Sequence, residues 1–165
     1  METVYIETTI VSYLVADPSR DLLIAAHQQA TREWWNLRRE HFYCFASEQT
    51  EVEAARGDKA QAERRLAILS MLPIVTVTEQ AADLAEAFLS TGALPQIARA
   101  DAIHLGVAAH LQADFLLTWN CRHLANAEIV RRLEREAKRH GWVIPTVCTP
   151  LELMGSLSDE TESDS

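Results

Sequence analysis

Five short runs rich in β-branched and aromatic residues, at 3–6, 42–45, 74–77, 115–117 and 143–147, are separated by Ala-, Leu- and charge-rich stretches too long to be turns. Strand alternating with helix leaves few options. Each crossover returns right-handed to a mainly parallel sheet, and such a sheet needs helices on both faces. The helical segments are read near 20–40, 48–56, 59–71, 79–91 and 127–140, with a helical stretch through Asp101 leading into the fourth strand and a short element ending by 154. Gly57, Gly92, Gly141 and Gly155 each follow a helical pattern, where a helix-ending residue with positive φ is wanted. The expected fold is a three-layer α/β/α domain with a mainly parallel central sheet of about five strands.

Composition narrows the class. With 165 residues, 48% hydrophobic and 24% charged, the chain can bury a full core, and five Gly and five Pro leave little for loops. Net charge is −9. Four acids, Asp159, Glu160, Glu162 and Asp164, fall in residues 156–165 without a base, so that stretch is expected to be a solvated, disordered tail outside a domain spanning 1–155. The remaining acidity is the wrong sign for passive binding of nucleic acid. Three widely spaced cysteines, Cys44, Cys121 and Cys148, suggest neither a disulfide framework nor a zinc knuckle, and fit a reducing cytoplasm. No basic-then-apolar leader and no membrane-length apolar run is present in the sequence.

Doubly wound sheets bind ligands beyond the carboxyl ends of their strands. Glu7-Thr8-Thr9 follows the first strand, Thr118-Trp119-Asn120 follows the fourth, and Asp101 opens the helix before it. If strands one and four are neighbours, Glu7, Asp101 and Asn120 can converge in one crevice. Hard oxygen donors there point to Mg2+ or Mn2+. Isolated glycines rule out a G-x-G-x-x-G or P-loop phosphate cradle, and neither G-x-S-x-G nor H-E-x-x-H occurs.

The run Val4-Tyr5-Ile6-Glu7-Thr8-Thr9-Ile10-Val11-Ser12-Tyr13-Leu14, the stretch Ser47 to Gly57 ending Glu53-Ala54-Ala55-Arg56-Gly57, Ala100-Asp101-Ala102-Ile103-His104, and Leu116-Leu117-Thr118-Trp119-Asn120-Cys121-Arg122-His123-Leu124 together resemble the PIN-domain nucleases, and within them the VapC-like toxins of type II toxin–antitoxin systems. The resemblance covers roughly residues 3–150. It implies catalytic Glu7, Glu53, Asp101 and Asn120, of which Glu7, Asp101 and Asn120 hold the metal, with Thr8, Thr118 and His104 supporting them. Glu7 and Asn120 stand where many members have Asp. The resemblance further implies a metal-dependent endoribonuclease, an RNA substrate, a small antitoxin partner and a homodimer.

Each residue also has an ordinary reading. Asp101 suits the first turn of any helix. Glu53 shares a short helix with Glu48 and Glu51, but those two are three residues apart and share a face that Glu53 does not. His104 commonly reads as a hydrogen-bonded core histidine, and Trp119 and Trp34-Trp35 as core or interface. The basic run Arg131, Arg132, Arg135, Lys138, Arg139 reads as a charged helix face. The alternative function is a PIN-fold RNA-binding or regulatory module with a weakened metal site. A small Mg2+-dependent phosphatase ranks below both, because no candidate nucleophilic Asp follows strand one.

Overall fold

A computed structural model describes residues 1–155; the expected acidic tail lies outside the described residues. Five strands, β1 (Thr3–Ile6), β2 (Tyr43–Ser47), β3 (Ile74–Val75), β4 (Phe115–Leu117) and β5 (Thr146–Cys148), form one sheet in the order β3-β2-β1-β4-β5. Every pairing is parallel. The helices are α1 (Thr8–Val15), α2 (Leu22–Leu37), α3 (Glu48–Ala54), α4 (Lys59–Leu69), α5 (Glu79–Ser90), α6 (Arg99–His110) and α7 (Ala127–Arg139), and the element ending by 154 is a 3-10 turn at Pro150–Leu153. The strand order reverses between β1 and β4. These are adjacent, with Tyr5 opposite Leu116 and Ile6 opposite Leu117. The switch point therefore lies where the sequence places its polar residues.

Alternation along β1 divides the core into two layers. Val4 and Ile6 face one cluster with Ile10, Trp34, Leu69 and Leu117, while Tyr5 faces the other with Phe88, Leu105, Leu116 and Leu133. Gly106 explains how closely α5 and α6 pack. A Cβ there would lie 2.5 Å from the Ala81 carbonyl oxygen, so only glycine fits. At the ends of α5 and α7, Gly92 and Gly141 take φ of +73° and +79°, as the helix-stop pattern requires.

Several boundaries differ from the expectation, beginning with β2, which runs on to Ser47. Strand five begins at Thr146, because residues 143–145 end in Pro145 and only Thr146–Cys148 pair with β4. Strand three shortens to two residues. Residues 8–15, which none of the expected helical segments covers, form helix α1. The β-branched run Thr8-Thr9-Ile10-Val11 argues against a helix locally, but Glu7 caps it through the Thr9 amide, and Ile10 and Val11 are wholly buried beneath it. Burial overrides propensity here.

Candidate active site

Glu7 stands at the junction of β1 and α1. As the residue two after Tyr5, it continues the face that Tyr5 presents. It is 2% exposed. One carboxylate oxygen, Oε2, accepts from the Thr9 amide at 3.0 Å, from the Thr9 hydroxyl and from the Thr118 hydroxyl at 2.8 Å. Among the described residues the other oxygen has no hydrogen-bond donor. Thr118 also accepts from the Asn120 amide at 2.9 Å, so one buried hydroxyl fixes both the acid on β1 and the loop after β4.

Asp101, in the first turn of α6, is held from the loop that follows β4. Asn120 Nδ2 donates to its Oδ1 at 3.0 Å, and His123 Nδ1 donates to its Oδ2 at 3.0 Å. The orientation of the Asn120 amide follows from its neighbours: the His123 backbone N–H can only donate and lies 3.0 Å from Oδ1, which turns the NH2 toward Asp101. Asn120 thus spans the acid and the loop that follows it. His123 is a contributor that the sequence reading did not single out. Its three-residue spacing from Asn120 within a tight turn was the available signal.

Glu53 reaches the same centre from α3. Its Oε1 accepts from His104 Nε2 and, at 3.3 Å, from Gln49. Glu48, on the other face, instead accepts from the Val77 amide at 3.0 Å. His104 is fully buried, one turn after Asp101. Its Nδ1 lies 2.6 Å from the Tyr5 hydroxyl, which in turn lies 2.7 Å from the Ser47 hydroxyl. The Thr8 hydroxyl is buried beside Glu53 without a well-formed hydrogen bond.

The electrostatics tie the three acids together. Burial pushes Glu7 above the usual carboxylate range, against the pull of His104 and the Thr9 and Thr118 donors. Burial also raises Asp101, aided by repulsion from Glu53 and opposed by His104 and His123. Glu53 goes the other way: burial would raise it, but the His104 hydrogen bond and charge bring it below its ordinary value. Burial alone would lower His104, yet the Tyr5 oxygen, the Glu53 hydrogen bond and the charges of Glu7 and Glu53 raise it well above the ordinary histidine value. His104 thus faces three carboxylates, and for two of them, Glu7 and Asp101, burial outweighs the groups that favour the charged form.

This donor set suits a hard divalent cation. It offers carboxylate oxygen, an unbonded Glu7 oxygen, an orphaned Thr8 hydroxyl and no soft ligand. Among the described residues no group of three or more His, Cys, Asp or Glu side chains is placed to hold a metal ion by itself. An ion that binds through one or two carboxylates and keeps several waters requires none.

No protein-family model and no curated protein matches the sequence. Solved structures do match. VapBC2 from Rickettsia felis, bound to a DNA fragment from its promoter, aligns with a TM-score of 0.59 at 15% identity, over 89% of this chain and 98% of that one. FitAcB from Neisseria gonorrhoeae aligns with a TM-score of 0.59 at 15% identity, over 91% and 99%. VapC20 from Mycobacterium tuberculosis, a sarcin-ricin loop cleaving toxin, aligns with a TM-score of 0.53 at 14% identity, over 72% and 91%. The chain has a PIN-like fold. Within this PIN-like fold the four segments carrying Glu7, Glu53, Asp101 and Asn120 meet at the β1/β4 switch point. Among the described residues no helix is long and apolar enough to cross a membrane.

Proposed function

We propose that the protein is a divalent-metal-dependent endoribonuclease, the toxin of a toxin–antitoxin pair, acting on RNA phosphodiester bonds with Mg2+ or Mn2+. The observation that carries this reading is the convergence of Glu7, Glu53 and Asp101, from three distant segments, around one buried histidine. The PIN-like fold shared with VapC20 and with VapBC2 supports it. Glu7 and Asp101 would hold the ion, with Asn120 and Glu53 contributing through water. A bound divalent ion supplies an activated water and offsets charge on the scissile phosphate.

The chain's own residues do the rest. Thr9 and Thr118 saturate one oxygen of Glu7 and so direct the other toward the crevice. Asn120 and His123 fix the Asp101 carboxylate. His104 keeps Glu53 ionised, as a proton acceptor near the reacting phosphate must be. The acidity of the domain thereby becomes part of the reading: a cation that offsets these carboxylates lets the scissile phosphate come among them.

A small antitoxin that covers the crevice, a second copy of the chain and a cytoplasmic location belong to the same reading. The VapBC2 and FitAcB structures support the antitoxin as a partner. The test compares wild type with Asp101→Ala on a broad RNA panel with Mn2+, Mg2+ or EDTA. Wild type is expected to cut only with metal, and Asp101→Ala to lose at least about 100-fold, more than the loss typical of a residue that merely supports a metal ligand. No cleavage by wild type, or undiminished cleavage by the variant, refutes the nuclease and leaves the binding-module alternative.

A further inference from the structure

Beside the carboxylates stands a group of aromatic rings that the hydrolytic reading does not use. Trp119, between Thr118 and Asn120, is fixed at both ends: its backbone N–H donates to the Thr9 hydroxyl at 2.9 Å and its indole N–H to the buried Thr31 hydroxyl at 2.7 Å. The His27 imidazole lies on the indole, with centroids 4.0 Å apart and planes 12° from parallel. Tyr13 completes the group, 6.5 Å from His27 and 6.2 Å from Trp119. Trp119 is buried, whereas Tyr13 and His27 are only half-buried. Neither the Tyr13 hydroxyl nor the His27 ring nitrogens has a hydrogen-bond partner among the described residues, and neither is sealed from solvent.

Thr9 joins this group to the acids. Its hydroxyl donates to Glu7 and accepts from the Trp119 amide, so a single side chain separates the ring stack from the candidate metal ligand. Tyr13 is four residues after Thr9 on α1, on the same helix face, one turn further from the crevice. The rings therefore form one continuous edge with the site. A core aromatic group would bury its polar atoms or pair them. Here two half-buried ring systems keep unpaired donors and acceptors open to solvent beside the site.

We infer that Tyr13 and His27, backed by Trp119, form a stacking platform that holds an unpaired base of the substrate next to the scissile phosphodiester. Every base has a π-face that such rings can cover, and bases in duplex RNA do not expose theirs. The Tyr13 hydroxyl and the His27 nitrogens, which lie in their ring planes, then stay free for the sugar–phosphate backbone of the neighbouring nucleotides. The inference rests on the nuclease reading for its substrate, but not for its chemistry: stacking requires neither the metal nor cleavage.

The test measures binding and cleavage in parallel for wild type, Tyr13→Leu and His27→Leu, with thermal unfolding as the folding control. His27→Leu alters a half-buried position on the outer helix α2, so it remains informative should Tyr13→Leu fold poorly. The probes are a short mixed-sequence single-stranded RNA, the same strand annealed to its complement, and the same strand carrying abasic positions. Binding is read in EDTA and cleavage in Mn2+. Wild type is expected to prefer the single strand, and each variant to weaken that binding about tenfold, the loss expected when one base gives up an aromatic partner. Duplex and abasic binding should not change. Variants that bind the single strand like wild type, or a wild type that binds duplex or abasic strand as tightly, overturn the platform, and a purely structural or protein-docking role for the rings then stands. If wild type cleaves while the platform fails, the nuclease reading survives alone. Ring-dependent single-strand binding without metal-dependent cleavage leaves the platform standing and removes the nuclease.

Discussion

Glu53 and the pair Glu7 and Asp101 sit around the same imidazole, yet their environments push them in opposite directions. Glu53 receives a hydrogen bond and a charge directly from His104 and stays ionised more readily than a free glutamate. Glu7 and Asp101 are served by neutral or shared donors, from Thr9 and Thr118 in one case and Asn120 and His123 in the other, and burial dominates both. Hydrogen bonds position these two acids without compensating their charge. One internal cation satisfies one carboxylate, and the unmet demand falls on the two acids that lie at the β1/β4 switch point.

Removing His104 should have the largest effect on this contrast. His104→Leu leaves Glu53 part-buried without its cation, and breaking such a pair from one side costs on the order of 3–5 kcal/mol. Glu53→Leu combined with His104→Leu should cost clearly less than the two single changes together. A double-mutant cycle by urea unfolding checks this, and additive costs would mean that the two groups are not coupled.

Disturbing the clamp on Asp101 comes next. Asn120→Ala and His123→Ala should each lower metal affinity or cleavage by roughly 10–100-fold, the range for groups that orient a metal ligand, with little change in thermal stability. Equal activity in both variants would show that Asp101 needs no such support.

The smallest effect is one of pH. Glu7 and Asp101 have raised folded-state values, so in metal-free protein they favour the folded state at low pH, and that stability is lost as pH rises from the ordinary carboxylate range through the raised values. Glu53 acts oppositely: its contribution is present above the ordinary value and is lost as pH falls through its lowered one. His104 contributes below the ordinary histidine value and loses that contribution only as pH rises through its raised one. Melting curves of metal-free Glu7→Gln and Asp101→Asn should therefore fall less steeply than wild type as pH rises from the acid range toward neutrality. Saturating Mn2+ should raise the wild-type melting temperature most at the upper end of that range, by about 2.7 kcal/mol of stability at a hundredfold excess over Kd. An unchanged slope in both variants would remove the distinction between these acids and Glu53.

The sequence made the alternation of strands and helices and the strand-end positions of Glu7, Asp101 and Asn120 legible, because strand ends and helix starts are local features that topology then brings together. The helix at 8–15 was hidden because its Thr-Thr-Ile-Val run favours extended structure, and only the burial of Ile10 and Val11 under α2 and α4 outweighs that. The roles of Thr9 and His123 were equally invisible. Each depends on a partner more than 20 residues away in the chain, Trp119 for one and Asp101 for the other, and no spacing rule within a single helix connects them. The pairing of Tyr13 with His27 has the same origin, since α1 and α2 must pack before the rings can meet.

On the proposed reading a divalent ion supplies the positive charge that Glu7 and Asp101 lack. Calorimetric titration of metal-free protein with Mn2+ at neutral pH, comparing wild type with Asp101→Asn and Glu7→Gln, tests it most directly. Saturable binding by wild type that weakens by tenfold or more in each variant, with folding intact, is the predicted result. No binding by wild type, or equal binding by all three proteins, would contradict the account.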